Sequence, residues 1–192
     1  MKKNHKTIDI FGATNSLKVL SYLVEHPGKQ FLNSEIQKAT LISRAGAYFA
    51  LKELVRQNLV SEERRGRLIF YSIIHDDYAI KQFKILKNVL VLRPLVLKLK
   101  GSSRKITLYG SHSRGENDPS SDIDLFIVSK DPEVTKEAVS SIKSRQKIQA
   151  VIKSAPELAS FKESEKVFMQ EVERGVVIWE EKECSRMERQ EG

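Results

Sequence analysis

The first third of the chain contains three successive segments in which hydrophobic residues follow helical spacing, and a start or stop signal marks each segment. The first predicted helix begins at Ser16 and ends near Val24, just before a His-Pro-Gly sequence that stops a helix. A second helix is predicted at Ser34, which would form a capping box with Gln37, and a third after Ser43, a favourable N-cap residue. The pattern therefore predicts three short helices in succession.

The third predicted helix has an apolar face and a polar face. The apolar face consists of Ala47, Leu51, Leu54 and Val55. The polar face carries accessible side chains four positions apart, Arg44, Tyr48 and Lys52. Two strand-like runs follow, at 59–63 and 68–73, and they flank a turn made of Arg64, Arg65, Gly66 and Arg67. We therefore expect a β-hairpin with an arginine-rich tip.

The rest of the chain mixes helical and strand patterns. Residues 76–92 predict a helix with a wide apolar face, and Pro94 fits the first turn of a separate helix over 94–100. Further strands are predicted at 105–109, 122–128, 147–153 and 176–179, and further helices at 133–143 and 161–174. These elements indicate an α+β chain with two small domains and a linker helix between them.

The net charge is +8, and the positive excess lies in the first half of the chain. Residues 1–75 contain twice as many basic as acidic residues, whereas residues 101–192 contain slightly more acidic than basic ones. A basic module joined to a nearly neutral one suggests a nucleic-acid contact in the first half and different chemistry in the second. The alternative is that the lysines and arginines only solvate helix faces.

Three features of the sequence bear on the compartment. The longest apolar run, 89–99, is interrupted by charges at Arg93 and Lys98, so we expect no membrane contact. The basic N-terminus carries Asp9 where a signal peptide would be apolar, so we do not expect export. The single cysteine, Cys184, cannot form a disulfide within the chain. These features favour a cytoplasmic protein.

The strongest candidate for chemistry is a pair of acidic residues at the start of the predicted strand 122–128. Residues i and i+2 of a strand share a face, so Asp122 and Asp124 should point the same way about 7 Å apart. Two carboxylates so placed repel each other unless a divalent cation lies between them. Hard oxygen ligands select magnesium or manganese over zinc.

A candidate phosphate site precedes the acid pair. Gly110 allows a tight turn after the strand 105–109, main-chain N–H groups at the following helix start suit a phosphate, and Ser111 adds a hydroxyl donor. Arg114 supplies positive charge to the same phosphates. A phosphate cradle that faces two metal ligands is the layout for attack at a phosphorus atom.

The segment 110–125 resembles the signature of the nucleotidyltransferase superfamily that includes DNA polymerase beta, and it is most similar to the minimal nucleotidyltransferases of prokaryotes. The resemblance implies a small mixed-sheet domain over 93–192, in which Asp122 and Asp124 are catalytic and hold Mg²⁺ or Mn²⁺. The glycine, serine and arginine of the cradle would bind a nucleoside triphosphate, most simply ATP. Related proteins act as antitoxins that adenylylate a HEPN-type toxin, so a toxin or another protein acceptor is an expected partner.

The chain departs from the pattern of active members at one position. Those members place a third carboxylate on the next strand, where it shares a metal and helps to deprotonate the attacking hydroxyl, but this chain has Gln149 there. Glutamine cannot take a proton near neutral pH, and loss of a general base typically costs roughly 10²–10⁴-fold in rate. Glu116 and Asp118 in the intervening loop are the carboxylates that would have to substitute. Catalysis therefore stays an open question at this stage.

The three helices and the hairpin over residues 8–75 resemble the winged helix-turn-helix family of DNA-binding domains. The resemblance implies that the third helix enters the major groove of double-stranded DNA and that the wing meets phosphates. The expected DNA contacts are therefore Arg44, Tyr48, Lys52, Arg64, Arg65 and Arg67. The apolar face of the linker helix over 76–92 would pack either on the winged helix or against the same helix of a second copy, and we expect a homodimer, since such proteins often bind paired half-sites. Winged helices also dock proteins, and that alternative stays open.

Two functions fit these features. In the first, a DNA-binding protein of prokaryotic type binds a magnesium nucleoside triphosphate and transfers a nucleoside monophosphate to a protein or small acceptor. In the second, a transcriptional regulator carries a degenerate transferase domain that senses a nucleotide or only dimerises. The intact pair of Asp122 and Asp124 favours the first function, and Gln149 favours the second. We favour retained nucleotide binding.

Overall fold

The computed structural model describes Gly12 and residues 14–182, and it confirms the predicted α+β class. Two compact units divide between Lys84 and Ile85. The first residues of the predicted first domain lie outside the described residues, as do Cys184 and the C-terminal tail. Each unit is described in turn below.

The first unit begins with the helices and strands that the hydrophobic pattern predicted. Its elements are α1 (Asn15–Leu23), β1 (Phe31–Leu32), α2 (Asn33–Thr40), α3 (Arg44–Arg56), β2 (Val60–Arg65) and β3 (Leu68–Ile73). At the start of α1, the hydroxyl of Thr14 accepts the N–H of Leu17 at 3.2 Å. At the start of α3, the hydroxyl of Ser43 accepts the N–H of Gly46 at 3.0 Å, as expected of an N-cap serine.

The start of α2 differs from the prediction. The predicted capping box of Ser34 and Gln37 is wrong, because the helix already begins at Asn33 and the carboxylate of Glu35 accepts the N–H of Leu32 at 2.7 Å. The strand β1 pairs with β3, so the chain stays extended as far as Leu32 and turns into the helix immediately afterwards. This pairing places the glutamate at the third helical position, from which a carboxylate reaches back to the N-cap.

The strands of the first unit form an antiparallel sheet in the order β1-β3-β2. Gly66 and Arg67 connect β2 to β3, and the φ of Gly66 is +61°, a conformation that suits glycine. The helices and the sheet share a core that includes Val19, Leu23, Ile36, Ala47, Leu51, Leu54 and Ile73. Because α3 buries one face in this core, its other face is exposed.

A helix of 22 residues, α4 (Tyr78–Leu99), begins in the first unit and ends in the second. The prediction of separate helices on either side of Pro94 is wrong, because α4 continues through this proline. A proline in a helix interior costs about 3 kcal/mol, and burial of Leu95 and Leu99 in the second core helps to offset that cost. In the described part of the chain, none of the helices has the length and apolar character needed to cross a membrane.

The second unit contains a mixed sheet with helices against both faces. Its elements after α4 are β4 (Ser103–Tyr109), α5 (Gly110–Arg114), β5 (Ile123–Ser129), α6 (Pro132–Ser140), β6 (Ile148–Ser154), α7 (Ala155–Ser164), α8 (Lys166–Glu173) and β7 (Val176–Glu180). The strand order is β6-β5-β4-β7; β5 and β6 are parallel, and the other neighbours are antiparallel. One core includes Leu95, Leu99, Ile106, Leu108, Leu125 and Ile127, and another includes Phe126, Val128, Met169 and Val172.

The predicted helix over 161–174 is wrong in its start and in its continuity. A helix begins directly after β6, because the hydroxyl and the backbone N–H of Ser154 both donate to the carboxylate of Glu157. The chain then breaks at Glu165, and α8 follows with Met169 packed into the core on one face of the sheet. The two shorter helices therefore replace the single predicted one.

Candidate functional site

Asp122 and Asp124 stand at the start of β5, on either side of the buried Ile123. Both acidic side chains are half-buried, whereas Ile123 and Leu125 are buried in the core. This alternation places the two carboxylates on one face of the sheet. The turn that follows β4 lies next to them, because Tyr109 pairs with Asp124 in the antiparallel register.

The backbone at Gly110 approaches the acid pair closely. Its φ is +68°, and a Cβ atom at this position would lie 2.4 Å from Oδ2 of Asp124. Glycine is therefore needed here both for its conformation and for the space that it leaves. The short helix α5 starts at this glycine, Ser111 lies in its first turn, and the hydroxyl of Ser113 donates to the carbonyl of Gly110 at 2.8 Å.

Gln149 lies beside the acid pair on the neighbouring strand. It is paired with Asp124 in the parallel register of β5 and β6, so it occupies the position from which a third carboxylate would reach the pair. Its side-chain amide donates a hydrogen bond to Oδ2 of Asp122 at 2.5 Å. The bond occupies an oxygen that would otherwise be available to a cation. Within the described residues, no cluster of three or more His, Cys, Asp or Glu side chains is arranged to hold a metal.

Arg114, which the sequence suggested for phosphate binding, is engaged with two carboxylates. It pairs with Glu116 at 2.9 Å and with Glu171 on α8. The hydrogen bond to Glu116 is the main reason that the pKa of Arg114 is raised. A phosphate would have to compete with both acids for this guanidinium. Sequence reasoning missed Glu171 because it lies 57 residues away along the chain.

Two amide side chains that sequence reasoning also missed hold the loop between α5 and β5. Nδ2 of Asn88 on α4 donates to the carbonyl of His112 at the end of α5 and to Oδ1 of Asn117 in the loop, both at 2.9 Å. Nε2 of Gln146 donates to the carbonyls of Asp118 and Ser121 at 3.1 and 3.0 Å. These bonds restrain the loop on both sides, and the second pair restrains the residues just before the acid pair.

The loop carboxylates that would have to substitute for a third acid have local partners. Glu116 accepts from Arg114, and Asp118 accepts from the backbone N–H and the hydroxyl of Ser120 at 2.8 and 2.6 Å. The bonds from Ser120 hold the pKa of Asp118 below its usual value. A carboxylate with a lowered pKa is a weaker base.

Burial is the main influence on the ionisation of Asp124. Burial raises the pKa of Asp124 above its ordinary value, the negative charge of Asp122 adds to this shift, and the neighbouring His112 and Arg114 oppose it. The pKa of Tyr109, which faces the same carboxylate, is raised by burial and by Asp124. A divalent cation beside Asp124 would favour its ionised form.

In the first unit, α3 places all three side chains of its predicted polar face in solvent. Arg44, Tyr48 and Lys52 are exposed, and the Lys52 ammonium lies 5.3 Å from the centroid of the Tyr48 ring. Ala45 and Phe49 are exposed between them, and Phe49 is 68% exposed. Sequence reasoning missed these two residues because it considered only polar side chains on this face.

The three arginines at the tip of the hairpin differ in their surroundings. Arg64 and Arg67 are exposed. Arg65 forms an ion pair with Glu63 at 2.7 Å and donates to the side chain of Gln30 at 2.7 Å. Arg65 therefore stabilises the hairpin and is less available to a ligand than its two neighbours.

Residues 92–190 match the protein family described as nucleotidyltransferase domain, and the chain therefore belongs to that family. This match confirms the family inferred from the segment 110–125. A comparison with curated proteins found no match. Among solved structures, the chain is similar to TrmBL2, described as an archaeal chromatin protein that shows a novel mode of DNA binding, with 11% identity over 89% of this chain and 72% of that chain. The TM-score is 0.30, which is too low to support a conclusion about the fold or the function of the present chain.

Proposed function

We propose that the protein binds DNA through its first unit and a magnesium nucleoside triphosphate through its second. The contact between Gly110 and Asp124 carries the nucleotide part of the proposal, because the turn leaves no space for a side chain beside the carboxylate. In a nucleotidyltransferase domain, a glycine turn held against an acid pair suits a triphosphate whose oxygens share a cation with Asp122 and Asp124.

The acid pair suits one magnesium ion. Magnesium is commonly bound by one or two carboxylates together with phosphate oxygens and water. The raised pKa of Asp124 is consistent with this occupant, since a cation would stabilise the ionised carboxylate. When bound, the ion would neutralise part of the triphosphate charge and polarise its oxygens. Manganese has the same ligand preferences and is the alternative.

Gln149 bears on the difference between binding and transfer. Its amide donates to Asp122, and its position on β6 supplies neither a proton acceptor nor a negative charge. Nucleotide binding is therefore the function that the geometry supports best. Transfer of a nucleoside monophosphate to a protein or small acceptor is the second candidate, and the intact pair of Asp122 and Asp124 favours it.

The DNA part of the proposal rests on the first unit. Its three helices and hairpin follow the order expected of a winged helix, a domain in which the third helix enters the major groove. The exposed face of α3 carries Arg44 and Lys52, and the hairpin tip carries Arg64 and Arg67. These cations suit phosphates. Homodimerisation stays a prediction from the resemblance to winged helices, and a HEPN-type toxin partner stays a prediction from the resemblance to minimal nucleotidyltransferases.

The test is to incubate the full chain with magnesium and labelled ATP, GTP, CTP or UTP, and to measure binding and transfer of the label. Replacing Asp122→Asn and Asp124→Asn together should abolish magnesium-dependent binding. The matched control is Glu133→Gln, which removes an exposed carboxylate on α6, 79% accessible, and should leave binding unchanged. Thermal unfolding of both variants checks that each is folded.

The outcomes separate the candidate functions. Binding without transfer supports the nucleotide-binding function. Transfer that the double variant abolishes would establish an enzyme despite Gln149. Triphosphate binding that persists in the double variant would refute the assignment of Asp122 and Asp124.

A further inference from the structure

An apolar surface lies in the middle of the exposed face of α3. A groove of about 500 Å³ is lined by Asn33, Arg44, Ala45, Tyr48 and Phe49. We call Ala45, Tyr48 and Phe49 the α3 apolar surface. Phe49 is 68% exposed and Tyr48 is 41% exposed, so much of their ring area meets water. Isolated exposed apolar residues are common, but three adjoining ones on the exposed face of a short helix indicate a contact surface.

The two rings are restrained before any partner arrives. The Tyr48 and Phe49 rings pack edge to face with their centroids 5.5 Å apart. The Lys52 ammonium lies 5.3 Å from the centroid of the Tyr48 ring, which is a cation–π arrangement. Side chains held in this way lose little conformational entropy on binding. The α3 apolar surface is therefore suited to direct contact with a ligand.

The charges around the surface restrict the chemistry of that ligand. Arg44 lies at the start of α3 and Lys52 two turns later, so cations stand on either side of the apolar surface. The single acidic residue of this helix, Glu53, accepts two hydrogen bonds from Arg56, and its pKa is lowered to about 2. A second copy of the same surface would bring like charges together, whereas a polyanion with apolar groups between its charges would match it.

Double-stranded DNA has this combination of groups. Its phosphates carry the negative charge, and the apolar group that projects into the major groove is the 5-methyl group of thymine. Alanine and phenylalanine are side chains that contact this methyl group in direct readout. We propose that Ala45 and Phe49 contact thymine methyl groups, so that the protein selects DNA by thymine methyls as well as by phosphates. This inference rests on the DNA binding proposed above.

The experiment compares matched duplexes that differ only in methyl groups. The full-length protein is titrated with an alternating A·T duplex and with the same duplex in which uracil replaces every thymine. A second pair of duplexes contains inosine with either cytosine or 5-methylcytosine, which adds a methyl group at the equivalent position of the major groove. Fluorescence anisotropy gives the affinities at several salt concentrations.

We expect the methyl group to strengthen binding in both pairs. Burying one methyl group is worth about 4-fold in affinity and burying two about 15-fold, so removal of thymine methyls should weaken binding by an amount in this range. The variant Phe49→Ala should show a smaller preference for thymine over uracil duplexes than the native protein, because only the contact of Ala45 remains, and it should keep the salt dependence of the native protein. The control Tyr78→Ala removes another exposed aromatic residue, 83% accessible, and should keep the preference for methylated duplexes.

Each result has a distinct meaning. If the native protein binds DNA with a steep salt dependence but does not distinguish thymine from uracil, the inference is overturned and the proposed DNA binding stands. If no salt-dependent DNA binding occurs, the proposed function of the first unit fails and the inference fails with it. If Phe49→Ala dissociates an oligomer in sedimentation experiments and leaves the methyl preference unchanged, the surface is a protein interface and the inference is overturned.

Discussion

Two residues set the chemistry available at the acid pair. Gly110 contributes by what it lacks, since a Cβ atom would lie 2.4 Å from Oδ2 of Asp124. Gln149 contributes an amide that donates to Asp122 at 2.5 Å. The first residue lets the carboxylate of Asp124 lie against the turn, and the second gives the carboxylate of Asp122 a hydrogen-bond donor. Both carboxylates are therefore held by their protein neighbours, Asp124 by the turn and Asp122 by the amide.

A side chain at Gly110 should disrupt nucleotide binding. In Gly110→Ala the new methyl group would displace the carboxylate of Asp124, so we expect magnesium-dependent triphosphate affinity to fall by about tenfold or more. The control is Gly28→Ala, because Gly28 also has a positive φ, +74°, but no atoms lie within 4 Å of the position that its new methyl group would take. Both variants should lose about 1–2 kcal/mol of stability from backbone strain.

Calorimetry with the magnesium triphosphate and chemical denaturation together check this prediction. Equal nucleotide affinity in Gly110→Ala and in the native chain would contradict the role assigned to Gly110, whatever the change in stability.

A carboxylate at position 149 should strengthen metal binding. Gln149→Asp removes the hydrogen bond to Asp122 and adds a negative charge, so we expect magnesium affinity to rise by about tenfold, as an added hard oxygen ligand predicts. Gln149→Ala removes the same bond without adding charge and should give a smaller change. Isothermal titration with magnesium alone measures both effects.

The comparison of the two variants separates two causes. If Gln149→Ala binds magnesium as tightly as Gln149→Asp, the amide bond to Asp122 is what limits the native site. If neither variant differs from the native chain, Asp122 is not a metal ligand.

At the scale of elements, the second unit links the turn after β4 to a helix that is distant in the sequence. The short helix α5 carries Arg114, and α8 carries Glu171, which pairs with it. The helix α8 exists as a separate element because the chain breaks at Glu165. This break and the packing of Met169 against the sheet bring α8 to a position from which its carboxylate reaches the arginine. The availability of Arg114 therefore depends on an element far away in the sequence.

Release of Arg114 from α8 should favour an anionic ligand. In Glu171→Gln the guanidinium loses one competing carboxylate, so we expect triphosphate affinity to rise by about 2- to 5-fold at low salt, the range of an exposed ion pair. The control Glu173→Gln changes the charge of the same helix by the same amount. Binding titrations at low and high salt should show the gain at low salt for Glu171→Gln and its loss as salt screens the charges.

An equal gain in both variants would mean that the overall charge of α8 matters and not the contact with Arg114. No gain in either would mean that Arg114 does not contact the triphosphate.

At the scale of the whole molecule, charge and chemistry are divided between the two halves of the chain. The positive excess lies in the first half, and the acid pair lies in the second. The two compact units meet in sequence between Lys84 and Ile85, within α4. The cations proposed for DNA and the acid pair proposed for the nucleotide therefore belong to different units. Salt should therefore affect DNA binding much more than nucleotide binding.

The hairpin arginines provide a test of this division. Replacing Arg64→Ala and Arg67→Ala together should make the DNA affinity less dependent on salt. The magnitude of the slope of log affinity against log salt should fall by about 2, close to one unit for each lost phosphate contact. Arg65→Ala is the matched control, because Arg65 is paired with Glu63 and should change the slope little. Nucleotide binding should be the same in all of these variants.

A slope that falls by about 1 in Arg65→Ala would show that the pairing with Glu63 does not withhold Arg65 from DNA. A slope unchanged in the double variant would refute phosphate contacts by the hairpin tip.

Much of the local structure follows from the sequence because its causes are short-range. Helical spacing and the N-cap Ser43 predicted α3, and alternation predicted β5 with its acids on one face. The segment 110–125 indicated the family, which the family comparison confirms. Sequence position also identified Gln149 as the neighbour of the acid pair, and strand register places it beside Asp124. These inferences use residues a few positions apart or, for Gln149, the resemblance to a known family.

Other features depend on packing between distant segments, and only the tertiary structure reveals them. The helix α4 continues through Pro94 because residues on its far side are buried in the second core. The bond from Gln149 to Asp122 and the pair of Arg114 with Glu171 require two elements to be brought together before either partner is visible. The sequence determined the residue types, the local elements and the acid pair; the packing decided which of those residues are already engaged and which are exposed, because long-range contacts are set by the shape of the whole core.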